Sequence, residues 1–248
     1  MTRKIVITGG NGSLAQQIIS ANDCHDISSP SRADLDITSV TSIRTYLDSL
    51  GYVPDILIHA AAMTRPMSRH HVEPVLSIQS NIIGTSNIVA ECIARRIKII
   101  YISTDYVYPG TEGNYAEDSP LLPYGSGKDG ISKYGWSKLG GECAVRLHHD
   151  YLIVRACICG RPFPHSKALS DVRKSFMYND EAAKILLQIL DQNGVVNLGG
   201  PPRTVYEFAA ENCPETQPVS RLDLPDALIA PDTTMNVEKL SSLIGSVT

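Results

Sequence analysis

The chain opens on a strand, a glycine turn and a helix, and this start restricts its fold more than any other feature. An apolar run, Lys4–Thr8, leads directly into Gly9-Gly-Asn-Gly-Ser-Leu-Ala15, and an amphipathic stretch follows. Gly9 suits a tight turn, Gly12 lets the backbone approach a pyrophosphate, and the small Ala15 allows close helix packing. We therefore predict a dinucleotide-binding turn with the phosphates at a helix N-terminus.

Apolar runs and helical patterns alternate along the rest of the chain. This order predicts an α/β fold with a Rossmann-type doubly wound parallel sheet. We expect a dinucleotide-binding domain over 1–160 and, over 161–248, mostly a small, trimmed substrate-binding lobe, with some elements returning to the sheet. The predicted strands are Lys4–Thr8, about Cys24–Ile27, Ile56–His59, Ile97–Ile102, Tyr151–Val154 and Gly194–Leu198. The predicted helices are Val40–Leu50, Val75–Arg95, Lys133–His148 and Asp180–Leu190.

Composition narrows the possible partners and compartments. The 248 residues carry a net charge of −4 without a basic run, which argues against nucleic acid. The six cysteines have no metal-ligand spacing and no acidic cluster converges, so we expect no metal and free thiols in a reducing compartment. No apolar run approaches 18 residues and the first strand starts near Met1, so we expect a cytoplasmic protein without a membrane segment.

Two short segments carry the chemistry. Thr104 stands at the end of an apolar run, and Tyr134 and Lys138 have the i, i+4 spacing that places two side chains on one helix face. An ammonium near a phenol favours the phenolate, so we expect Lys138 to lower the pKa of Tyr134. Thr104 would donate a hydrogen bond to a carbonyl oxygen while Tyr134 supplies the proton. This set is suited to hydride transfer at a carbonyl carbon.

These segments resemble the extended short-chain dehydrogenase/reductase family, and within it the dTDP-4-dehydrorhamnose reductases and related nucleotide-sugar 4-ketoreductases. The matching motifs are Thr8–Ala15, Leu35-Asp-Ile-Thr38, His59-Ala-Ala-Ala62, Tyr101–Tyr108, Tyr134–Glu142 and Gly199-Gly-Pro201. The resemblance implies a catalytic set of Thr104, Tyr134 and Lys138 with Asp105 beside them. For the cofactor it implies Gly9, Asn11, Gly12, Ser13, Leu14, Asp36, Ile37, Ala60, Ala61, Ala62, Tyr134 and Lys138, and for the substrate Thr64, Arg65, Thr104, Asp105 and Tyr106.

The position after Asp105 helps to choose the reaction. Tyr106 stands where related dehydratases have a glutamate, and Asp105 stands where related epimerase/reductases have a cysteine. Within the resemblance, this favours simple reduction of the 4-keto group of a nucleotide-linked 4-keto-6-deoxy sugar. A bifunctional 3,5-epimerase/4-reductase is the alternative, and it would need an acid/base pair from Cys157, Cys159 or His165. A non-catalytic NADP-binding regulatory or scaffold subunit is an alternative of another class.

The end of the second strand bears on the cofactor. Ser28, Ser29 and Arg32 offer hydroxyl and guanidinium donors, which favour NADPH, while NADH is possible because a shifted strand boundary would bring Asp26 into the deciding position. The alternative is an ordinary polar loop with Arg32 in solvent.

Further basic residues could meet the diphosphate of the substrate. They are Arg65, Arg69, His70, His71 and, less directly, Arg203. The resemblance also implies a homodimer through the helices predicted at Val75–Arg95 and Lys133–His148. Two departures from the family pattern are a short segment from Gly160 to Asp180 and Ala230 in place of an arginine before Pro231.

Overall fold

A six-stranded parallel sheet organises the chain, with the strand order β10-β5-β4-β3-β1-β2. The computed structural model describes residues 2–125, 130–224 and 229–245. In chain order the strands are β1 (Lys4–Thr8), β2 (Asp26–Ser28), β3 (Ile56–His59), β4 (Lys98–Thr104), β5 (Tyr151–Ala156), β6 (Ile158–Cys159), β7 (Lys167–Leu169), β8 (Arg173–Lys174), β9 (Met177–Tyr178), β10 (Gly194–Leu198), β11 (Arg203–Thr204) and β12 (Gln217–Val219). The Rossmann-type doubly wound sheet predicted from the sequence is confirmed.

Helices cover both faces of this sheet. In chain order the helices are α1 (Ser13–Ala21), α2 (Val40–Ser49), α3 (Ser68–Val72), α4 (Pro74–Ser77), α5 (Thr85–Arg95), α6 (Gly130–Val145), α7 (Asn179–Gln188), α8 (Val205–Asn212) and α9 (Glu238–Ile244). The helix predicted over Val75–Arg95 is present as a continuous helical run, and its segment Ile78–Gly84, between α4 and α5, is π-helical. Asn81 lies inside it, and its amide bonds the backbone N–H and carbonyl of Met63 at 2.8 and 2.9 Å. These long-range bonds are not visible in the hydrophobic period.

Alternation along β1 explains the two apolar layers. Ile5 and Ile7 point into a cluster with α1 and α7, while Val6 points into the opposite cluster with α2 and α5. All three side chains are fully buried. Burial of one such aliphatic side chain stabilises the fold by roughly 1.5–3 kcal/mol. A one-residue shift in register would turn each side chain to the opposite face, so the alternation fixes which face of the strand meets each cluster.

The residues after 160 build a smaller layer beside the sheet. Short pairings of β6 with β9, β7 with β12 and β8 with β11 enclose a separate apolar cluster around Phe163 and Phe208. β10 from this part of the chain pairs in parallel with β5 of the main sheet. Helices α8 and α9 were not predicted. The boundary at residue 160 stays a prediction.

Because all six strands are parallel, their carboxyl ends meet at one edge. The chain reverses its direction of winding at β1, which has β2 on one side and β3 on the other. Ligands of such sheets bind outside the carboxyl ends near this reversal. Within the described ranges, we find no helix whose length and apolarity would suffice for a membrane crossing.

Candidate active site

A cavity of about 620 Å³ opens at the carboxyl edge of the sheet. Most of the site residues predicted from the sequence line it. They are Gly9, Asn11, Gly12, Ser13, Leu14, Arg32, Ala60, Ala62, Thr64, Arg65, Thr104, Asp105, Tyr106, Tyr134 and Lys138. The fold therefore brings the glycine turn and the proposed proton-transfer residues to one space.

The glycine turn is shaped for close backbone approach. Gly9 has φ +74°, and a Cβ built there would lie 2.8 Å from the Cα of Ala61, so a side chain would be excluded by backbone. The N–H of Gly12 bonds the carbonyl of Gly9 at 2.8 Å, which closes the turn before α1. At the start of α1, Ser13 accepts a hydrogen bond of 2.7 Å from Nδ2 of Asn179. The free N–H groups at this helix end favour an anion.

The residues after β2 are those predicted to meet the ribose of the cofactor. The strand is shifted slightly from the predicted Cys24–Ile27 to Asp26–Ser28, and Asp26 lies opposite Lys4 in the β1–β2 register, at the amino end of the strand and away from the cavity. Arg32 lines the cavity. The buried Oγ of Ser29 finds no hydrogen-bond partner in the part of the chain that the structure describes. Ser28 turns elsewhere, with its Oγ 3.4 Å from the hydroxyl of Tyr52.

Five predicted cofactor residues lie outside this cavity: Ser28 and Ser29, described above, and Asp36, Ile37 and Ala61. Asp36 uses its carboxylate to bind the backbone N–H and hydroxyl of Thr38, and its pKa is lowered mainly by the backbone hydrogen bond. Ile37 is buried in the core beneath α5. The N–H of Ala61 donates to the hydroxyl of Thr8 at 3.3 Å, directly under Gly9. Their contacts with a cofactor stay a prediction.

The catalytic set is assembled from β4 and α6. Thr104 ends β4, and its hydroxyl donates to Oδ1 of Asp105 at 3.2 Å and accepts the backbone N–H of Tyr106 at 3.3 Å. Tyr134 and Lys138 come from α6 and are both buried. The ring of Tyr134 packs edge-on against Tyr106, with ring centroids 6.1 Å apart. This arrangement places two hydroxyls and an ammonium at one wall of the cavity.

The expected effect of Lys138 on Tyr134 is wrong for this structure. Burial, and after it the negative charge of Asp105, raises the pKa of Tyr134, while a hydrogen bond with Thr104 opposes the rise. Burial lowers the pKa of Lys138 to about 7, and Glu142 partly offsets that effect. Nζ of Lys138 lies over the ring of Tyr101, 4.1 Å from its centroid. The phenol is therefore held protonated at neutral pH, and the lysine is the group poised to titrate.

A buried ion pair fixes the helix that carries Lys138. Arg155 on β5 and Glu142 on α6 are both inaccessible to solvent. The guanidinium donates hydrogen bonds of 3.1 and 2.9 Å to the two carboxylate oxygens. Ser103 donates to the same carboxylate at 2.6 Å. Because each of these buried polar groups has a hydrogen-bond partner, the network holds α6 against the ends of β4 and β5.

Lys174, at the end of β8, is a cavity residue that the sequence reasoning missed. Its ammonium binds Oδ2 of Asp105 at 2.5 Å, and the hydroxyl of Thr233 donates to the same oxygen at 2.6 Å. Nζ lies 3.8 Å from the centre of the Tyr106 ring. Lys174 stands in an irregular stretch without periodicity, so the sequence offered no signal for it. Its contacts join the lobe to the residue that follows Thr104.

The other candidate substrate residues divide into two groups. Thr64 and Arg65 line the cavity and are exposed. The remaining basic side chains are engaged elsewhere: Arg69 pairs with Glu73, His70 bonds Ser77, His71 contacts Lys133, and Arg203 pairs with Glu211. Their expected role at a diphosphate is therefore not supported by this structure.

Two of the three residues named for the epimerase alternative reach the cavity. Cys157 and Cys159 line the cavity, whereas His165 is exposed and packs against Phe163. Burial raises the pKa of both cysteine thiols. Within the described ranges, the structure contains no cluster of three or more metal-ligating side chains.

Comparison with known proteins assigns the family. Residues 3–159 match the family model described as RmlD substrate binding domain. The chain belongs to this family. The RmlD match covers β1 to β6 and includes the glycine turn, Thr104, Tyr134 and Lys138.

Individual relatives agree with this assignment. The chain is 32% identical, over 65% of its length, to a dTDP-4-keto-6-deoxy-D-glucose reductase of Streptomyces niveus, of which it covers 54%. It is 28% identical, over 60% of its length, to methionine adenosyltransferase 2 subunit beta of Xenopus tropicalis, of which it covers 44%. The chain thus spans about half the length of the curated relatives it matches.

The fold extends further than the sequence similarity. A dTDP-4-dehydrorhamnose reductase of Bacillus anthracis, solved in complex with NADP, superposes with a TM-score of 0.85 at 23% identity. That match covers all of this chain and 95% of the other. The lobe after residue 160 therefore shares its architecture with RmlD-type proteins.

Proposed function

We propose that the chain is an NAD(P)H-dependent oxidoreductase that reduces the 4-keto group of a nucleotide-linked 4-keto-6-deoxy sugar. The observation that carries the proposal is the meeting of Thr104, Tyr134 and Lys138 with the glycine turn in one cavity. The relatives named as dTDP-4-keto-6-deoxy-D-glucose reductase and dTDP-4-dehydrorhamnose reductase support it.

The chain offers a coherent set of groups for a dinucleotide. Gly9 and Gly12 would admit the pyrophosphate, and Arg32 would meet a ribose phosphate, which favours NADPH over NADH. Ala60 and Ala62 would line the nicotinamide end. When bound, the cofactor supplies hydride to the carbonyl carbon.

The remaining chemistry belongs to the side chains. Tyr134 keeps its proton at neutral pH because burial and Asp105 raise its pKa, so the phenol donates to the oxygen as negative charge develops there. Thr104 is placed to donate a second hydrogen bond to that oxygen. Lys138, with a pKa of about 7 and on the same face of α6, would be the group that returns a proton to Tyr134.

The substrate would extend from this wall toward the mouth of the cavity. Thr64 and Arg65 line that side, and the guanidinium of Arg65 is exposed and suited to a diphosphate. Asp105 and Tyr106 would face the sugar. A nucleotide sugar is therefore the proposed substrate class.

We infer a homodimer through the surface formed by the α4–α5 segment and α6. These elements pack against each other and leave large apolar side chains exposed, among them Val75 at 59%, Ile83 at 47% and Trp136 at 41%. Such a patch is typical of an association site. Light scattering after gel filtration tests it: the chain should run as a dimer, and Trp136→Glu should run as a monomer that keeps the far-UV circular dichroism spectrum of the folded chain. A monomeric unmodified chain would rule the dimer out.

Oxidation of NADPH and NADH, followed at the nicotinamide absorbance, tests the proposed reaction. The panel is UDP-, dTDP- and GDP-linked 4-keto-6-deoxy sugars, and the matched control is Tyr134→Phe, which removes one hydroxyl. Turnover should occur with at least one sugar and should fall by roughly 10²-fold or more in the variant. Product analysis by NMR then separates simple reduction from reduction with epimerisation, for which Cys157 and Cys159 are the available thiols.

A regulatory subunit is the second candidate. It is favoured by the similarity to proteins named methionine adenosyltransferase 2 subunit beta, a name that makes them subunits of an enzyme. Retention of Thr104, Tyr134 and Lys138 favours the enzyme instead. Tight NADPH binding with no turnover across the panel would shift the assignment to the regulatory role.

A further inference from the structure

Asp105 is held by three side chains from three parts of the fold. Thr104 donates to Oδ1 at 3.2 Å, and Lys174 and Thr233 donate to Oδ2 at 2.5 and 2.6 Å. All four side chains are buried. Oδ2 therefore accepts two short hydrogen bonds, whereas Oδ1 accepts one longer hydrogen bond from Thr104.

The direction of the Thr104 hydrogen bond is fixed by chemistry. An ionised carboxylate only accepts, so the proton between the two residues belongs to Thr104 and points toward Asp105. A carbonyl oxygen in the cavity also only accepts, and it would need that same proton. Asp105 and a substrate carbonyl therefore compete for one hydroxyl.

The competition is decided by how strongly Oδ1 attracts the proton. The Lys174 ammonium and the Thr233 hydroxyl both withdraw charge toward Oδ2, and both of those bonds are short. The bond from Thr104 to Oδ1 is long by comparison, at 3.2 Å. The carboxylate thus orients the threonine without holding it tightly.

We propose that Lys174 is a positioning residue that acts through Asp105 to leave the Thr104 hydroxyl available to the substrate carbonyl. The inference rests on the proposed ketone reduction. It assigns a task in the reaction to a lysine of the lobe, 70 residues along the chain from the catalytic threonine. Without Lys174, Asp105 would retain the Thr104 proton and the developing oxyanion would lose a donor.

Other groups face the same carboxylate. The ring of Tyr106 lies under the Lys174 ammonium, and the Cys157 thiol makes a hydrogen bond with Asp105. The negative charge of Asp105 also contributes to the raised pKa of this thiol and of the Tyr134 phenol. The last two carry a proton at neutral pH because burial raises their pKa. Lys174 is therefore the cation that bonds Asp105 directly.

A double-mutant cycle separates this role from a purely structural tie. Lys174→Met is made in the unmodified chain and in Asp105→Asn, and kcat, KM and the NADPH dissociation constant are measured for each. Lys174→Met alone should lower kcat roughly tenfold to a hundredfold, with KM and NADPH affinity changed by no more than about twofold. In the Asp105→Asn background the same change should cost no more than about twofold, because the competing carboxylate is gone.

Two further variants provide a control and a second test of the mechanism. Lys239→Met, on α9 and outside the cavity lining, controls for loss of a lysine and should leave kcat unchanged. Thr233→Val removes a neutral donor to the same oxygen and should lower kcat by about threefold to tenfold without raising KM. If Lys174→Met does not fold, Thr233→Val still tests the mechanism.

The outcomes are distinct. Equal loss of kcat on Lys174→Met in both backgrounds, or a loss expressed in KM, overturns the inference while leaving ketone reduction intact. An unchanged kcat in Thr233→Val, where Lys174→Met does not fold, overturns it as well. Failure of the unmodified chain to turn over any sugar in the panel refutes the proposed function, and the inference falls with it.

Discussion

Lys138 should destabilise the ligand-free chain, and replacing it by methionine should raise stability while removing turnover. Burial lowers the pKa of this lysine from 10.5 to about 7. Each pH unit of such a difference corresponds to about 1.4 kcal/mol, so the penalty reaches about 5 kcal/mol when the lysine is charged in both the folded and the unfolded state. Methionine also forfeits the contact with the Tyr101 ring, worth about 1 kcal/mol. The net gain is about 4 kcal/mol.

The stability advantage of Lys138→Met should depend on pH in one direction. Below pH 7 the lysine is protonated in both states and the penalty is complete. Between pH 7 and 10.5 the unfolded chain binds more protons, so the unmodified protein gains stability as the pH rises. The advantage of Lys138→Met should therefore be greatest near pH 6 and should shrink by about 1.4 kcal/mol per pH unit above pH 7.

Urea unfolding at pH 6, 7, 8 and 9 measures this difference directly. The matched control is Lys133→Met on the same helix, where the lysine contacts His71 near the surface and should matter little. Glu142 stays paired with Arg155 in the variant, so no buried carboxylate is left alone. A Lys138→Met chain that is less stable at pH 6, or whose advantage stays constant to pH 9, would refute the reasoning.

Three further predictions concern the cofactor turn and the buried ion pair. Gly9→Ala should weaken NADPH binding at least tenfold in calorimetry, because the new Cβ would meet backbone at 2.8 Å and φ is +74°; unchanged affinity would contradict the close approach. Arg32→Ala should weaken NADPH binding by about tenfold and leave NADH binding nearly unaltered, and an equal loss for both cofactors would exclude a role at the phosphate. Glu142→Gln should lower the free energy of unfolding by about 3–5 kcal/mol, since Arg155 is left buried and charged, and adding Arg155→Met should recover most of it.

Local sequence patterns were sufficient for the parts of the fold that depend on local chemistry. The strands Lys4–Thr8 and Ile56–His59 were predicted at their observed bounds, because strict apolar runs next to turn residues leave few alternatives. The glycine turn was recognised from its position directly after the first strand. The i, i+4 spacing predicted only that Tyr134 and Lys138 share one helix face, and the fold brings both to the cavity.

Sequence patterns were not sufficient where distant groups decide the outcome. The π-helical segment contains Asn81, whose side chain bonds Met63, 18 residues away. The pKa of Tyr134 depends on burial and on Asp105 rather than on its helical neighbour. Lys174 reaches Asp105 across 69 positions from a stretch without periodicity. Such contacts come from the tertiary fold, and no hydrophobic or charge period encodes them.

Deuterium transfer tests the central claim most directly. The chain is incubated with NADPH deuterated at C4 of the nicotinamide, in separate 4R and 4S preparations, together with the nucleotide 4-keto-6-deoxy sugar that gives turnover. One preparation should place deuterium on carbon 4 of the product sugar, as read by NMR, and Tyr134→Phe should yield almost none. Cofactor that binds tightly while no deuterium reaches carbon 4 from either preparation would contradict the proposed reduction.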